Sequence, residues 1–217
     1  MKNDLIEATV VKNIYSVEHQ FQGGNDMSTT EPIRNKWKLE KFRNYYRTVS
    51  PNERNYLLIV TGLNTALRIS DILSLKWDDV YDCAAHTVKS RIKLKEKKTG
   101  KTANIAVNRS LRDAIKNVVS DCSAPDPESY IFTGRGKNPM NRSTAYRIVK
   151  RAANYVGLTS DVSCHSLRKT FGYFAWKRGV QPAILMSIYN HSSFAITKRY
   201  LGIDQDDKDK VYLKNNL

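Results

Sequence analysis

Thr87-Val88-Lys89-Ser90-Arg91-Ile92-Lys93-Leu94-Lys95-Glu96-Lys97-Lys98-Thr99-Gly100-Lys101-Thr102-Ala103-Asn104-Ile105-Ala106-Val107 is the stretch on which the fold class turns. Its first half alternates with a period of two, setting Val88, Ser90, Ile92 and Leu94 on one face and Lys89, Arg91 and Lys93 on the other. The polar run Lys97-Lys98-Thr99-Gly100-Lys101 interrupts it, and Ala103, Ile105 and Val107 resume the alternation. Two alternating segments about a glycine-containing turn read as a β-hairpin. Between Thr87 and Lys101 seven Lys or Arg face one acid, so this projecting element is the most basic part of the chain.

On both sides the period lengthens to that of a helix. Upstream, Leu39, Phe42, Tyr46 and Val49 recur at helical spacing. Ser50-Pro51-Asn52-Glu53 then combines an N-cap serine, a proline at the first helical position and a capping-box glutamate, which predicts a helix running through Leu57-Leu58-Ile59-Val60 to about Gly62. Ser70 is the expected cap of a further helix carrying Ile72, Leu73 and Leu75. Downstream, Ser110 should open a helix with the stripe Leu111, Ile115, Val118 and Val119, and Ser143 one with Tyr146, Val149, Ala153 and Val156 ahead of Gly157. A helix from His165 to Arg178 closes at Gly179, Pro182 opens another reaching Tyr189, and a last one bears Tyr200. The expected class is α+β, mainly helical, with one small antiparallel sheet.

A formal charge of +15, from 36 Lys and Arg against 21 Asp and Glu, favours polyanionic partners and leaves DNA, RNA and anionic membrane as candidates. No apolar run reaches bilayer-spanning length and no signal peptide opens the chain, so a soluble cytoplasmic protein with no membrane partner is expected. Cys83, Cys122 and Cys164 are too few and too scattered for a disulfide framework or a zinc site, and no other metal site is expected. Cys164 neighbours His165, but adjacent residues point in different directions, which discounts a Cys/His pair.

His165-Ser166-Leu167-Arg168 sets a histidine and an arginine three apart, on one helical face, where a single phosphate can touch both. Alone the signal is weak. Its company is what matters: Thr65-Ala66-Leu67-Arg68-Ile69-Ser70-Asp71 before it, Lys98-Thr99-Gly100 on the hairpin, and Asn190-His191-Ser192-Ser193 followed by Tyr200 nine residues beyond the histidine. In this order and at these separations, from about Pro51 to Leu201, the set resembles the tyrosine recombinase family, the phage-integrase type of site-specific DNA recombinase.

The resemblance implies a role for each residue. Arg68 and Arg168 would clamp the non-bridging phosphate oxygens, since a guanidinium fork matches phosphate and stays charged. Lys98 would protonate the departing 5′ oxygen, with Lys95, Lys97 and Lys101 as competitors for that task. His165 would act as general base or phosphate ligand, and His191 would hydrogen-bond a non-bridging oxygen, with Asn190 standing where the family usually has glycine and tolerating the positive φ of the turn. Tyr200, one of twelve tyrosines, would attack phosphorus and leave a 3′-phosphotyrosyl link, so that neither ATP, metal nor redox cofactor is required. Asp71 is expected to orient Arg68 or cap its helix, as is Ser70, and Lys93, Lys95, Lys97, Lys101, Lys169 and Arg199 to contact the DNA backbone.

Three regions are expected: an N-terminal arm over residues 1–35, a catalytic domain over 36–203, and a tail over 204–217. In the tail four aspartates outnumber three lysines, so it is not expected to track DNA; Val211, Leu213 and Leu217 would dock on a neighbouring protomer, pack back on their own domain or fray. The resemblance implies double-stranded DNA with specific sites, a tetramer on that DNA and accessory DNA-bending proteins. Too little chain precedes Pro51 for the family's usual core-binding domain, which leaves a stand-alone catalytic domain or a fragment. The competing activities are relaxation of DNA in the manner of a type IB topoisomerase, and DNA-binding regulation without catalysis.

Overall fold

The structure is a computed structural model of the 217-residue chain, and it describes residues 30–120, 125–158 and 162–215. Most of the expected arm, Cys122 and Leu217 lie outside the described residues. So do the side chains at 204–207 and 210.

Helix α1 (Lys36–Thr48) is capped by the Asn35 side chain, which accepts from Lys38 N at 2.9 Å, and buries Phe42 and Tyr46 as the periodicity requires. Helix α2 (Glu53–Thr65) follows. Its cap is Asn52, whose Oδ1 accepts from Asn55 N at 2.9 Å, and not Ser50, whose amide donates to Tyr45 O and so belongs to the end of α1. Tyr56 through Gly62 are all buried, which makes α2 the central helix, packed against α1 and against the later α5 and α7.

At Ala66 the backbone turns left-handed, φ +55, and the chain reverses into the single turn α3 (Ile69–Ile72). Arg68 occupies the N-cap position there and Ser70 lies inside the helix it was expected to cap. A second short turn, α4 (Trp77–Val80), leads into the strands.

Here the structure divides the expected single sheet in two. Strands β1 (Tyr81–Asp82) and β2 (Thr87–Val88) pair antiparallel, and β3 (Arg91–Lys95) pairs antiparallel with β4 (Thr102–Ala106) in the register Arg91↔Ala106 to Lys95↔Thr102. Ser90 was expected to face inward between Val88 and Ile92 but is exposed, because the chain jogs at Lys89. The Lys89 amide bonds Val80 O and its ammonium reaches Asp78, anchoring the jog to α4. At the far end the Glu96 amide donates to Lys101 O, and Gly100, at φ +67, donates to Glu96 O; that dihedral is why the turn uses a glycine.

The remaining helices are α5 (Arg109–Ser120), α6 (Arg142–Tyr155), α7 (Cys164–Lys177), α8 (Pro182–Tyr189), α9 (Phe194–Leu201) and α10 (Ile203–Lys214). In α5 and α6 asparagine again displaces the expected serine: Asn108 Oδ1 accepts from Leu111 N at 3.0 Å and Asn141 Oδ1 from Thr144 N at 2.7 Å. Asn190 adopts the left-handed conformation, φ +56, that closes α8. Thr30 to Asn35, read from sequence as the end of a loose arm, is packed: Ile33 is buried, its amide donates to Thr170 Oγ1 at 2.9 Å, and Arg34 donates to Gly202 O at 3.2 Å. Among the described residues no helix is long and apolar enough to cross a membrane.

Two apolar clusters result. The larger joins α1, α2, α5, α6 and the strands, and the smaller joins Ala66, Leu185, Tyr189, Leu201 and Ile203. Helix α7 is the seam, giving Leu167 to the first and Phe171 and Ala175 to the second. Leu167 meets α2 at Gly62, where an added Cβ would sit 2.5 Å from its Cδ1. Gly62→Ala should therefore destabilise the domain by about 1–3 kcal/mol, the usual cost of overpacking. Urea unfolding checks this, and an unchanged midpoint would show that the seam is not tightly packed.

Candidate active site

Arg68 leaves α2 in extended conformation, and its Nη1 donates to Glu96 Oε2 at 2.9 Å. Glu96 is 4% exposed. The same oxygen accepts from Thr99 Oγ1 at 2.8 Å and from Asn190 Nδ2 at 3.3 Å, so one buried carboxylate joins α3, the hairpin turn and the end of α8. Asp71, fully buried, accepts from Lys97 N at 3.0 Å. Its amide donates to Arg68 O at 2.9 Å, but its side chain makes no hydrogen bond to Arg68 among the described residues and does not cap the helix; it ties the hairpin to the helix that Arg68 begins.

On α7, His165 and Arg168 lie near enough for the arginine to act on the imidazole, but at different depths. Arg168 is 3% exposed. Its Nη1 donates to Ala66 O, the carbonyl that the left-handed turn presents, and its guanidinium lies 4.6 Å from the centre of the Tyr189 ring. Tyr189 Oη in turn donates to Arg168 O at 2.7 Å. Gly172 makes that possible, since a Cβ there would fall 2.4 Å from Tyr189 Oη and 2.6 Å from Leu201 Cδ2. No carboxylate pairs with Arg168 among the described residues; its partners there are the Ala66 carbonyl and the Tyr189 ring.

His165 keeps an exposed edge, yet the protein packed about its ring lowers its pKa, and Lys169, Arg168, Arg68 and Arg142 add to that by repulsion. His191 is lowered by burial first and then by Arg168 and Arg68. Its Nδ1 pairs with the hydroxyl of the buried Thr197 at 3.0 Å, which leaves Nε2 as the ring nitrogen available to a ligand.

Tyr200, half-buried on α9, packs its ring 5.3 Å from His191 and 5.4 Å from Tyr189. Burial raises its phenol above the ordinary value, while Arg168 and Arg68 pull it back. The phenol is therefore protonated at neutral pH and needs a base to become a nucleophile. The structure thus brings Arg68, His165, Arg168, His191 and Tyr200 into one cluster, in which the two arginines act on both histidines and on the phenol.

The lysines divide. Lys98 is exposed on the hairpin turn and makes no hydrogen bond or ion pair among the described residues. Lys93, Lys95, Lys97 and Lys101 are exposed, the first two on the same face as Arg91, and Arg199 is exposed on α9. Lys169 differs from expectation. It is 5% exposed, bonds Thr30 O and sits 5.2 Å from the Tyr200 ring, so burial keeps it from a passing DNA backbone. Glu96, Tyr189 and Thr197 were missed: Glu96 entered the sequence reading only as the single acid of a basic hairpin, and Tyr189 only as the end of a helix. Burial pushes the Cys164 thiol up to about 12, which makes it a poor nucleophile.

The profile of the phage integrase family matches residues 36–206. The chain belongs to the phage integrase family. It is a tyrosine recombinase catalytic domain, an enzyme that cleaves and rejoins DNA. It is 38% identical over 187 residues to the probable integrase/recombinase YoeC of Bacillus subtilis, covering 86% of this chain and 97% of that one. Type 1 fimbriae regulatory protein FimE of Escherichia coli is 25% identical, over 76% of this chain and 82% of that one. A tyrosine recombinase of Pseudothermotoga lettingae is 26% identical, over 74% of this chain but only 54% of its own length. Among solved structures, the XerH site-specific recombinase in a post-cleavage complex with its difH substrate superposes with a TM-score of 0.67 at 20% identity, covering 89% of this chain and 55% of that one.

Because His165 and His191 are held below their ordinary value of 6.5, the unfolded chain binds more protons than the folded one as pH falls through that value. Folding stability should therefore decline below pH 6.5 and go on declining to the lowered folded pKa values. Urea unfolding of wild type and His165→Asn at pH 7.5 and 5.5 checks the sign: the loss on acidification should be smaller in the variant.

Proposed function

We propose that this protein is a site-specific recombinase of double-stranded DNA in which Tyr200 is the nucleophile and Arg68, Lys98, His165, Arg168 and His191 complete the active site. The observation that carries this reading is the packing of the Tyr200 ring 5.3 Å from His191 and 5.4 Å from Tyr189, whose face in turn covers Arg168, a buried guanidinium with no carboxylate partner among the described residues. A phosphate bound by Arg168 would lie against the attacking oxygen.

In the step proposed, the bond from Tyr200 Oη to phosphorus forms and the bond from phosphorus to O5′ breaks. The phenolic proton passes to His165, which its lowered pKa keeps neutral and ready to accept it. Lys98 gives a proton to the departing O5′, so the products are a 3′-phosphotyrosyl link, a 5′ hydroxyl, a protonated His165 and a neutral Lys98. Rejoining runs the same transfers backward. Arg68, Arg168 and His191 Nε2 stabilise the charge that accumulates on the non-bridging oxygens.

The exposed lysines of β3 and the turn supply backbone contacts. The names of the relatives favour recombination over simple relaxation or a silent regulator. A tetramer on DNA with exchanged C-terminal helices belongs to the same proposal; Val211, Tyr212 and Leu213, 61%, 77% and 83% exposed on α10, support it as an unsatisfied apolar surface. Action on chromosomal or mobile-element DNA in the cytoplasm is part of the reading as well.

A nicked suicide substrate carrying the recombination site tests the chemistry. Wild type should accumulate a covalent protein–DNA adduct and Tyr200→Phe none; an equal adduct from both sinks the nucleophile assignment. Arg68→Ala or Arg168→Ala should slow adduct formation by at least about 10²-fold, the scale of losing an oxyanion-stabilising donor. Relaxation of any plasmid without a defined site would count against recombination. For binding, replacing both Lys93 and Lys95 by Ala should weaken affinity for all sequences and flatten the dependence of log K on log salt by about 0.9 per lost phosphate contact. Fluorescence anisotropy across a salt series reads that slope, and an unchanged slope removes these lysines from the interface.

A further inference from the structure

Lys98 is flanked by two tethers. The residue before it is held through its amide by Asp71 Oδ1 at 3.0 Å, and the residue after it through its hydroxyl by Glu96 Oε2 at 2.8 Å. The backbone at Lys98 is thereby fixed on both sides to α3 and Arg68, while its own side chain is exposed and unbonded among the described residues. Glu96 contributes twice, because its amide and carbonyl also close the turn. All three of its side-chain bonds converge on one oxygen, and each donor is a site residue or its chain neighbour: Arg68 itself, Thr99 beside Lys98, and Asn190 beside His191.

An acid at this place needs a reason. A carboxylate beside a phosphate-binding arginine repels the substrate and occupies one of that arginine's donors, so on grounds of substrate binding alone it is unfavourable. We propose that Glu96 is a positioning residue that holds the Lys98 turn in register with Arg68 and His191, so that the lysine can deliver its proton to the leaving oxygen. The inference rests on the assignment of Lys98 as the acid. Glu96 touches no reacting atom. It acts by geometry, and a displacement of about 1 Å in an acid that must meet the O5′ atom suffices to cost about 10²-fold in rate.

The test compares single-turnover cleavage, at saturating DNA, of a suicide substrate whose bridging 5′ atom is oxygen with one in which it is sulfur. A thiolate departs without a proton, so the sulfur substrate bypasses the acid. Glu96→Leu should cleave the oxygen substrate at least about tenfold more slowly than wild type, bind DNA within about twofold of it, and recover most of the deficit on sulfur, as Lys98→Ala should. Glu96→Gln, whose amide oxygen can accept the same three donors, should restore most of the rate that Glu96→Leu loses. Thr99→Val removes only the tether next to Lys98 and should give a smaller deficit, again relieved by sulfur; it carries the test should Glu96→Leu fail to fold. Normal cleavage of the oxygen substrate by Glu96→Leu and Thr99→Val, or an equal deficit on both substrates, overturns the inference while leaving Tyr200 and the arginines in place. A wild type that forms no adduct, or a Lys98→Ala deficit that sulfur does not relieve, overturns the underlying assignment first.

Discussion

The burial of the Arg168 guanidinium is the constraint to which the rest of this structure answers. A charge taken almost wholly out of water costs several kcal/mol unless polar groups replace its hydration. Here two such groups come from two parts of the chain: the Ala66 carbonyl and the face of Tyr189. Each requires a local concession. Ala66 must adopt a left-handed backbone, at about 1 kcal/mol or more for a residue with a Cβ, and Gly172 must lack a side chain so that Tyr189 can reach the Arg168 carbonyl. The smaller apolar cluster, built of Ala66, Leu185, Tyr189, Leu201 and Ile203, is the packing that these concessions produce. In this sense the second core exists to hold an arginine.

The other arginine is held by opposite means. Arg68 faces a buried carboxylate, so that pair is close to neutral, whereas Arg168 keeps its full charge. Both arginines still act on their neighbours: after burial, Arg168 and Arg68 both lower His165 and His191, and both restrain the burial-driven rise of Tyr200. Neutral imidazoles and a protonated phenol are the ground state this field selects, and a bound phosphate, by adding negative charge, would raise both histidines toward accepting protons.

How much of this was legible in the sequence follows from the range of the interactions involved. Helices α1, α2 and α5 to α9, and the hairpin, are set by periods of 3.6 and 2 that any window of a dozen residues displays. His165 and Arg168 share a face for the same local reason, and Tyr200 was found through its register with His191. The helix starts were misplaced by two residues at Ser50, Ser110 and Ser143, each time because an asparagine nearby, Asn52, Asn108 or Asn141, takes the cap. Both residue types cap well, so local preference cannot rank them and the tertiary path of the chain decides. The packing of Ile33 against Thr170 and of Lys169 against Thr30 joins segments 137 and 139 residues apart, which no periodicity reports. Glu96 was invisible for that reason too: it is 28 residues from Arg68 and 94 from Asn190, and a charge count could only mark it as a small deduction from the hairpin's basicity.

The division of the site into a buried and an exposed part has a physical logic. Under the proposed function, groups that stabilise charge act by being in place before the reaction, so rigid burial would serve Arg168 and partial burial His191. A proton donor to a leaving group must meet an atom that arrives only with the DNA, and a long side chain on a projecting turn suits it, provided the turn itself does not wander. A hairpin of five paired residues per strand, exposed along most of one strand, has little core of its own to hold its tip. Anchoring the tip by polar bonds to the element that carries Arg68 resolves the conflict: the backbone is shared with the rigid part and only the lysine side chain remains free. That arrangement makes the hairpin's accuracy depend on two acids, Asp71 and Glu96, in the most basic region of the protein.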